Sequence, residues 1–201
     1  RLMRAIASLP KVCEHVNLPV QHGDDEVLRS MRRGYTAQEY RDLVRRLRAY
    51  VPDVSLSTDV IVGFPGESEQ QFQRTYDLLK ELRFDVVHAA MYSPRPGTRA
   101  ALLPDDVPPE EKKRRLNLIE RLQESIVAET NSQLVGATVE VLVEDWRQGK
   151  LTGRTRSNKL VFALCEENLR GQLVDVRIES TTAWSLKGKP VGVKAECLSA
   201  S

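Results

Sequence analysis

The chain has 201 residues, of which 41% are apolar and 29% are charged, and its formal net charge is +2. These values are ordinary for a globular protein, and no run of about 18 apolar residues predicts a membrane span. Three cysteines, at positions 13, 165 and 197, are too far apart in sequence to indicate a disulfide framework or a metal cage. The first residues do not resemble a secretory signal, so we expect a cytoplasmic protein.

Strand and helix patterns alternate along the first two thirds of the chain. The first predicted strand, residues 16–20, ends at Gln21, and Asp24 or Asp25 can cap the short helix that follows. Thr36 begins a capping box for the next helix. This alternation is typical of a parallel α/β enzyme, which carries its functional residues where the strands end.

The second predicted strand, residues 54–62, has two different faces. Val60 and Val62 lie on an apolar face, whereas Ser57 and Asp59 lie on the opposite, polar face. Such a strand suits a barrel whose interior holds a ligand. A buried carboxylate without a partner costs several kcal/mol, so Asp59 requires either a ligand or a salt bridge inside the barrel.

The next predicted elements are a helix over residues 67–82 and a third strand over residues 84–92. A proline-rich loop follows at residues 94–109, and Pro108 and Pro109 begin a long charged helix. The predicted buried stripe of this helix is Leu116, Ile119, Leu122 and Ile126.

The composition changes near Asn131. Residues 139–143, 160–164 and 173–178 predict short strands separated by glycines and polar turns, without a helical period. We therefore predict a small β-barrel or sandwich, with the domain boundary at residues 130–136.

Five short motifs follow one another along the chain. They are Leu-Pro-Val-Gln-His-Gly at residues 18–23, Arg-Arg-Gly-Tyr-Thr at 32–36, Thr-Asp-Val-Ile-Val-Gly-Phe-Pro-Gly-Glu at 58–67, Tyr-Ser-Pro-Arg-Pro-Gly-Thr at 92–98, and Gly-Arg-Thr at 153–155. With these motifs the chain resembles the tRNA methylthiotransferases, and most closely the type that adds a 2-methylthio group to isopentenyladenosine beside the anticodon. The resemblance extends from about residue 13 to residue 189.

The resemblance implies a radical S-adenosylmethionine (SAM) enzyme with two 4Fe-4S clusters and a C-terminal TRAM domain that binds RNA. Residues 1–130 would be the C-terminal half of an α/β partial (βα) barrel of the radical SAM type, and residues 131–201 the all-β TRAM barrel. The family's three-cysteine cluster loop has no counterpart here, so we expect this chain to ligate no cluster and to be inactive alone. The implied partners are tRNA and the missing N-terminal half, without a membrane.

The resemblance also implies a cofactor site at the strand ends, although it assigns no catalytic residue and no metal ligand. The candidate contacts to S-adenosylmethionine are Gln21, Asp59, Ile61, Gly63, Tyr92 and Arg95. Gln21 could equally be a turn residue, and a tight strand-to-helix turn would explain Gly63 equally well. Arg95 lies between two prolines, which suits either an anionic ligand or a structural bridge. His22 stands where many relatives have serine, so no role is transferred to it.

The segment 146–159 contains five basic residues and no acidic residue. Cations that alternate with polar residues across a hairpin can contact phosphates, and a nearby exposed indole can stack on a base. The predicted RNA contacts are Lys150, Arg154, Arg156, Lys159 and Trp184. The alternative is a solvated turn with a tryptophan in the core.

Three remaining residues have structural interpretations. Cys13 is predicted to be a small buried apolar residue, and His15 and His88 to be barrel residues with satisfied hydrogen bonds. Two other functions remain open: a methylthiotransferase acting on a ribosomal protein, and a non-catalytic RNA-binding module. The basic hairpin argues against the first, because a tail that docks on a basic ribosomal protein should be acidic.

Overall fold

A computed structural model of the chain describes residues 1–194. Cys197 is one of the three cysteines whose spacing predicts no disulfide framework and no metal site, and it lies outside the described residues. The chain divides into two compact units. One consists of Arg1–Ala7 and Val16–Ile126, and the other of Ser8–His15 and the residues from Val127 onward. No helix within residues 1–194 is long and apolar enough to cross a bilayer.

The α/β part of the chain alternates strands and helices around a three-stranded sheet of order β1-β2-β3. Strands β2 and β3 are parallel, in a register that runs from Ser57 beside Val86 to Val62 beside Met91. The elements in chain order are α1 (Leu2–Ser8), β1 (His15–Asn17), α2 (Asp25–Ser30), α3 (Ala37–Tyr50), β2 (Ser55–Val62), α4 (Glu69–Leu82), β3 (Val86–Met91), a 3₁₀ turn (Arg99–Leu102) and α5 (Pro109–Ser132).

The first strand is shorter than predicted, although the chain continues beside β2 as far as Gln21. Leu18 N donates to the Ser57 carbonyl at 2.8 Å, and Gln21 N donates to the Asp59 carbonyl at 2.8 Å. Between them, Pro19 has no N–H to donate, so the regular ladder is interrupted. The buried Tyr40 hydroxyl supports this segment by donating to the Leu18 carbonyl at 2.6 Å. Burial raises the pKa of Tyr40 to about 12, so the hydroxyl stays protonated.

Capping side chains define where the helices begin. Asp24 caps α2, and Thr36 forms the predicted capping box with Glu39 at the start of α3. The predicted start of α4 at Glu67 is wrong, because Ser68 caps this helix and the first helical residue is Glu69. The carboxylate of residue 67 is therefore available for contacts outside the helix.

Helix α5 buries more polar side chains than its sequence pattern predicts. Ile119 and Ile126 are buried as expected, whereas Leu116 and Leu122 are only half-buried. Four polar residues of this helix are buried as well, namely Lys112, Arg115, Gln123 and Asn131. Gln123 donates its side-chain amide to the Phe84 carbonyl at 3.0 Å, which shows why a polar residue is stable there.

The C-terminal part is a closed five-stranded barrel of order β4-β5-β6-β8-β7, which confirms the prediction of a small β-barrel. Its strands are β4 (Thr138–Arg147), β5 (Lys150–Thr155), β6 (Leu160–Leu164), β7 (Leu173–Thr181) and β8 (Leu186–Lys194). The sequence pattern missed β5 and β8, which contain Gly153 and Gly188. A Cβ atom on Gly153 would overlap the Leu142 carbonyl oxygen of the neighbouring strand, so the backbone packing requires glycine there.

Candidate functional site

The polar face of β2 carries a hydrogen-bonded group of three side chains. Ser57 Oγ donates to Asn17 Oδ1 at 2.9 Å, and Asn17 Nδ2 donates to Asp59 Oδ2 at 3.2 Å. Asp59 therefore has the neutral Asn17 as a partner, and no salt bridge to Asp59 is seen within residues 1–194. His88 lies beside Asp59 in the parallel register, and its ring is exposed rather than enclosed in a barrel. His15 is half-buried.

The carboxyl end of β3 carries a tyrosine whose hydroxyl is unusual. Tyr92 continues the ladder by donating its N–H to the Val62 carbonyl at 2.8 Å. Its ring packs edge-on against Phe64, with centroids 5.3 Å apart, and Ile61 contacts the same cluster. Its hydroxyl oxygen is buried and has no hydrogen-bond partner in the described part of the chain. Buried hydroxyls are nearly always hydrogen-bonded, so this oxygen fits a ligand that supplies the missing partner.

Gln21 is held beside this cluster in a strained backbone conformation. Its φ angle is 68°, in the left-handed region that few residues other than glycine adopt. The Ile61 N–H donates to the Gln21 carbonyl at 3.0 Å, which fixes Gln21 against β2. Gln21, Asp59, Ile61 and Tyr92 thus all belong to the sheet or its strand ends, as the sequence predicts, and their roles in binding remain a proposal.

Two other predicted cofactor contacts have different surroundings. Gly63 has a φ angle of 70°, and a Cβ atom there would overlap the aliphatic chain of Lys112. Packing and turn geometry therefore account fully for a glycine at position 63. Arg95 is exposed in the loop after β3, where its carbonyl accepts a hydrogen bond from Thr98 Oγ1 at 2.8 Å.

A fully buried ionic network supports the loop after β2, and sequence analysis missed it. The carboxylate of Glu67 accepts hydrogen bonds from the Gly63 N–H and from His22 Nε2, the latter at 2.9 Å, and pairs with Arg115 Nη1 at 3.0 Å. We call His22, Glu67 and Arg115 the Glu67 network. Asp24 N donates to His22 Nδ1 at 3.0 Å, so the imidazole proton lies on Nε2 and points at Glu67.

Helix α5 supplies the cations on this side of the sheet. Arg115 also donates to the Glu67 carbonyl at 3.0 Å and to Glu111 at 2.7 Å. Hydrogen bonds from Arg114 and then Arg115 lower the pKa of Glu111 to about 2. The only sequence signal for this arrangement is that Lys112 and Arg115 lie three residues apart, on one helix face, ahead of the apolar stripe.

The basic segment of the barrel unit is less free than its sequence indicates. Arg156 donates through Nε and Nη2 to the carboxylate of Glu14, both at 2.8 Å, and to the carbonyls of Pro10 and Val12. The hydrogen bond from Arg156 lowers the pKa of Glu14. Arg156 therefore already has partners within its own unit, and its contact to a phosphate stays a prediction. The neighbouring Cys13 is exposed, so the prediction that it is buried is wrong.

The other predicted RNA contacts remain at the barrel surface. Lys150 is exposed, Lys159 is half-buried, and Arg154 lies 3.6 Å from the carboxylate of Glu144 and donates to the Asn158 carbonyl at 3.1 Å.

Trp184 is 60% exposed, which contradicts the alternative of a tryptophan in the core. It lies in the turn between β7 and β8. Asn131 anchors this turn by donating to the carbonyls of Thr182 at 2.9 Å and Ala183 at 3.1 Å. Strands β6 and β8 are parallel with Val161 beside Leu186, so the residues just before each, Lys159 and Trp184, lie at the same end of the barrel.

Two family models match the chain in the order of the two units. The model of the radical SAM superfamily matches residues 1–79, and the model of the TRAM domain matches residues 132–191.

Curated relatives extend these matches along almost the whole chain. A tRNA-2-methylthio-N(6)-dimethylallyladenosine synthase of Dehalococcoides mccartyi (strain CBDB1) is 52% identical over 194 residues, which are 96% of this chain and 46% of the relative. The enzymes of the same name from Chloroflexus aurantiacus and Moorella thermoacetica are 50% and 48% identical, over 94% of this chain and 42% and 44% of their own lengths. Along almost its whole length this chain is therefore similar to tRNA methylthiotransferases, with one segment that matches the radical SAM superfamily and one that matches the TRAM domain. It spans less than half the length of these relatives.

The two matched segments contain different candidate site residues. The radical SAM match includes Gln21, Asp59 and the carboxylate of the Glu67 network, whereas Tyr92 and Arg95 follow it in the chain. The TRAM match includes Arg154 and the exposed tryptophan. Within residues 1–194, no group of three or more His, Cys, Asp or Glu side chains is arranged to hold a metal ion.

Proposed function

We propose that this chain is part of a radical SAM enzyme that adds a 2-methylthio group to N6-dimethylallyladenosine, also called isopentenyladenosine, in tRNA. The observation that carries the proposal is the identity of about 50% to enzymes of that name along 94–96% of this chain. Since the chain spans less than half of those enzymes, it would work as one portion of a longer protein or complex. We also propose a cytoplasmic location, where such an enzyme meets tRNA.

In this proposal, residues 1–130 form the C-terminal half of a (βα) barrel and residues 131–201 form the TRAM domain. The parallel pairing of β2 and β3, with helices between the strands, supports the first assignment. Three strands are too few to close a barrel, so the remaining strands would come from the missing N-terminal half. The closed five-stranded barrel supports the second assignment.

The strand ends of the sheet fit one wall of a cofactor site. The buried Tyr92 hydroxyl would donate a hydrogen bond, Ile61 and Phe64 offer apolar surface beside it, and the Asp59 carboxylate retains acceptor capacity beyond its bond to Asn17. Bound S-adenosylmethionine would supply the methyl group and the radical chemistry. The cysteine ligands of the two 4Fe-4S clusters would come from the portion of the relatives that this chain does not span.

The barrel would hold the tRNA. Lys150, Arg154 and Lys159 are the proposed contacts to phosphates, and the exposed indole of Trp184 is the proposed contact to a base. We assign Arg156 to the folding of its unit, because Glu14 and two carbonyls occupy its guanidinium.

The activity is tested in the complete protein that contains this chain. We expect mass spectrometry of tRNA nucleosides to show the 2-methylthio group, and Tyr92→Phe to reduce its yield while leaving the melting temperature within a few degrees of the wild type. Tyr50→Phe, which alters an exposed hydroxyl, is the matched control. Modification of a ribosomal protein instead of tRNA would support that alternative, and RNA binding without any modified product would support the non-catalytic module.

RNA binding is tested with the 201-residue chain. If about three cations contact phosphates, the affinity for a tRNA anticodon stem-loop should fall with salt with a log-log slope of about −2 to −3. An affinity that does not change with salt would contradict the assignment of the barrel cations to phosphates.

A further inference from the structure

One outer face of the barrel combines exposed apolar side chains with cations. Phe162 is 39% exposed and Leu164 is 72% exposed, and both point outward from β6. Alternate residues of this strand, such as Val161 and Ala163, are buried in the core. Phe162 lies outside the five sequence motifs.

Strand register places cations on both sides of Phe162. On β5, Thr152 lies directly beside it, and on β8, Lys187 lies directly beside it. Paired residues of neighbouring strands project from the same face of a sheet, about 5 Å apart. Lys150 pairs with Leu164 and Arg154 pairs with Leu160 in the same register. We call the surface formed by Lys150, Thr152, Arg154, Phe162, Leu164 and Lys187 the β6 face.

The strands of the β6 face carry only positive charges. The sequences Lys-Leu-Thr-Gly-Arg-Thr of β5, Leu-Val-Phe-Ala-Leu of β6 and Leu-Lys-Gly-Lys-Pro-Val-Gly-Val-Lys of β8 contain no acidic residue. Within residues 1–194, the structure shows no salt bridge for Lys150 or Lys187. Arg154 lies 3.6 Å from the carboxylate of Glu144 on β4, so its charge is partly neutralised. An aromatic ring flanked by two lysines and this arginine matches a nucleic acid, which offers base faces and phosphates together.

We propose that the β6 face binds a single-stranded segment of RNA, with Phe162 stacking on an unpaired base and Lys150, Arg154 and Lys187 contacting the flanking phosphates. The inference rests on the proposed function and adds a binding surface to it. The base must be unpaired, because a base inside a duplex presents no free face to a side chain on a sheet surface. From Leu160 to Leu164 the strand rises by about 13 Å, enough for a short run of nucleotides. Trp184 lies at the Lys159 end of the barrel and would extend the same path.

A second copy of this chain is a poorer occupant of the β6 face. In a two-fold symmetric dimer the same surface of both copies meets, so Lys150, Arg154 and Lys187 would face their own counterparts. Like charges brought together across an interface cost several kcal/mol. The charge of the face therefore favours RNA over self-association.

The test measures the affinity of the 201-residue chain for fluorescein-labelled oligouridylate of about 12 nucleotides and for an RNA duplex of equal length. We expect tighter binding to the single strand. Phe162→Ala should weaken this binding about 5- to 100-fold without changing the salt slope, because stacking releases no counterions. Lys187→Ala should reduce the slope by about 1. Phe162→Tyr should retain the affinity, since it keeps the ring.

Controls separate stacking from folding. Val191→Ala removes an exposed aliphatic side chain from β8 outside the β6 face, and it should bind like the wild type. Phe162→Leu keeps an apolar side chain without a ring, and should fold even if Phe162→Ala does not. A melting curve of each variant identifies any loss of folding.

The outcomes distinguish this inference from the proposed function. Wild-type affinity in Phe162→Ala and Phe162→Leu, together with salt-dependent binding, would overturn the β6 face and leave the TRAM domain as an RNA-binding unit. No binding of any RNA by the folded wild-type chain would overturn both. A dimer of the wild-type chain that Phe162→Ala dissociates, with unchanged RNA affinity, would assign the face to a second copy.

Discussion

The α/β unit and the barrel unit bury different kinds of side chain. Behind the strand ends of the α/β unit, Glu67, Lys112 and Arg115 are all buried and paired. Among the described residues, the buried cluster of the barrel consists of valine, leucine, isoleucine and alanine: Val141, Val143, Leu151, Val161, Ala163, Leu169, Val174, Val176, Ile178 and Leu186. The functional candidates follow this difference, because those of the α/β unit lie at strand ends held by buried ions and those of the barrel lie on its outer surface.

Backbone hydrogen bonding explains the contrast. In a closed barrel, every strand has two neighbours, so the ladders satisfy the backbone and the interior can be apolar. The loop after β2 has no ladder, and the Gly63 N–H in it is satisfied by a side chain, the carboxylate of Glu67. The buried charges of the Glu67 network thus hold the loop after β2 in place. The barrel strands satisfy one another's backbone groups, so the barrel needs no buried charges for this purpose.

The largest expected effect comes from removing the charge of the Glu67 network. Glu67→Gln leaves Arg115, which is 5% exposed, with the outer carboxylates of Glu111 and Glu69 and the backbone carbonyl of residue 67 as partners. Breaking a buried ion pair costs about 3–5 kcal/mol, and the remaining partners should keep the loss near the lower value. Hydrogen exchange should show it as faster exchange of amides in β2 and the loop after it.

A surface variant serves as the control for Glu67→Gln. Glu69→Gln removes a carboxylate that is 58% exposed and pairs with Arg114 and Arg115, and it should cost less than about 1 kcal/mol. Equal destabilisation by both variants would contradict the special role of the buried network.

The apolar barrel should respond to lost volume rather than to lost charge. Leu151→Ala, in the fully buried core, should lower the free energy of unfolding of the barrel by about 3 kcal/mol. Leu164→Ala, in a side chain that is 72% exposed, should change it by less than about 0.5 kcal/mol. Denaturant titration, with hydrogen exchange measured on peptides of the barrel, compares the two variants. Similar losses of unfolding free energy would contradict the expectation that core packing stabilises the barrel.

The ion pair of Glu14 and Arg156 should contribute about 1 kcal/mol, because both side chains are partly exposed to water. The pKa of Glu14 is lowered from its ordinary value of 4.5 by the hydrogen bond from Arg156. The folded form therefore binds the proton less readily than the unfolded form, so the stabilisation is present above pH 4.5 and is lost as the pH falls through the folded pKa. Arg156→Ala should accordingly destabilise the barrel unit at pH 7 and lose most of its effect at the lowest pH at which the unit stays folded. If Arg156→Ala destabilised the barrel unit more strongly as the pH falls, the result would contradict a stabilising ion pair with Glu14.

The smallest expected effect on stability comes from Trp184→Ala. The indole is 60% exposed, and Asn131 holds the turn by donating to the backbone carbonyls of Thr182 and Ala183. The free energy of unfolding of the barrel should therefore change by less than about 0.5 kcal/mol. The same variant should weaken RNA binding if the indole stacks on a base. Unfolding of the barrel by this substitution would place the tryptophan in the core after all.

Local patterns in the sequence predicted most of the regular elements. Thr36 and Glu39 form the expected capping box, and β2 forms over Ser55–Val62, with alternating burial from Thr58 to Val62. Both features depend on residues within a few positions of one another, which makes them visible in one sequence. Strands β5 and β8 were missed because their glycines are required by neighbouring strands, which a local pattern does not show.

The sequence by itself determined the resemblance to the tRNA methylthiotransferases, the alternation of strands and helices, the β-barrel tail and the position of candidate residues at the strand ends. Only the tertiary structure decided which charges are free. In the folded chain Glu67 pairs with His22 and Arg115, which are 45 and 48 residues away in sequence. Arg156 pairs with Glu14, which is 142 residues away. The tertiary structure also brought Phe162 between the cations of β5 and β8. Ion pairs and cross-strand neighbours depend on which distant segments meet, so the chemistry of a single side chain does not reveal them.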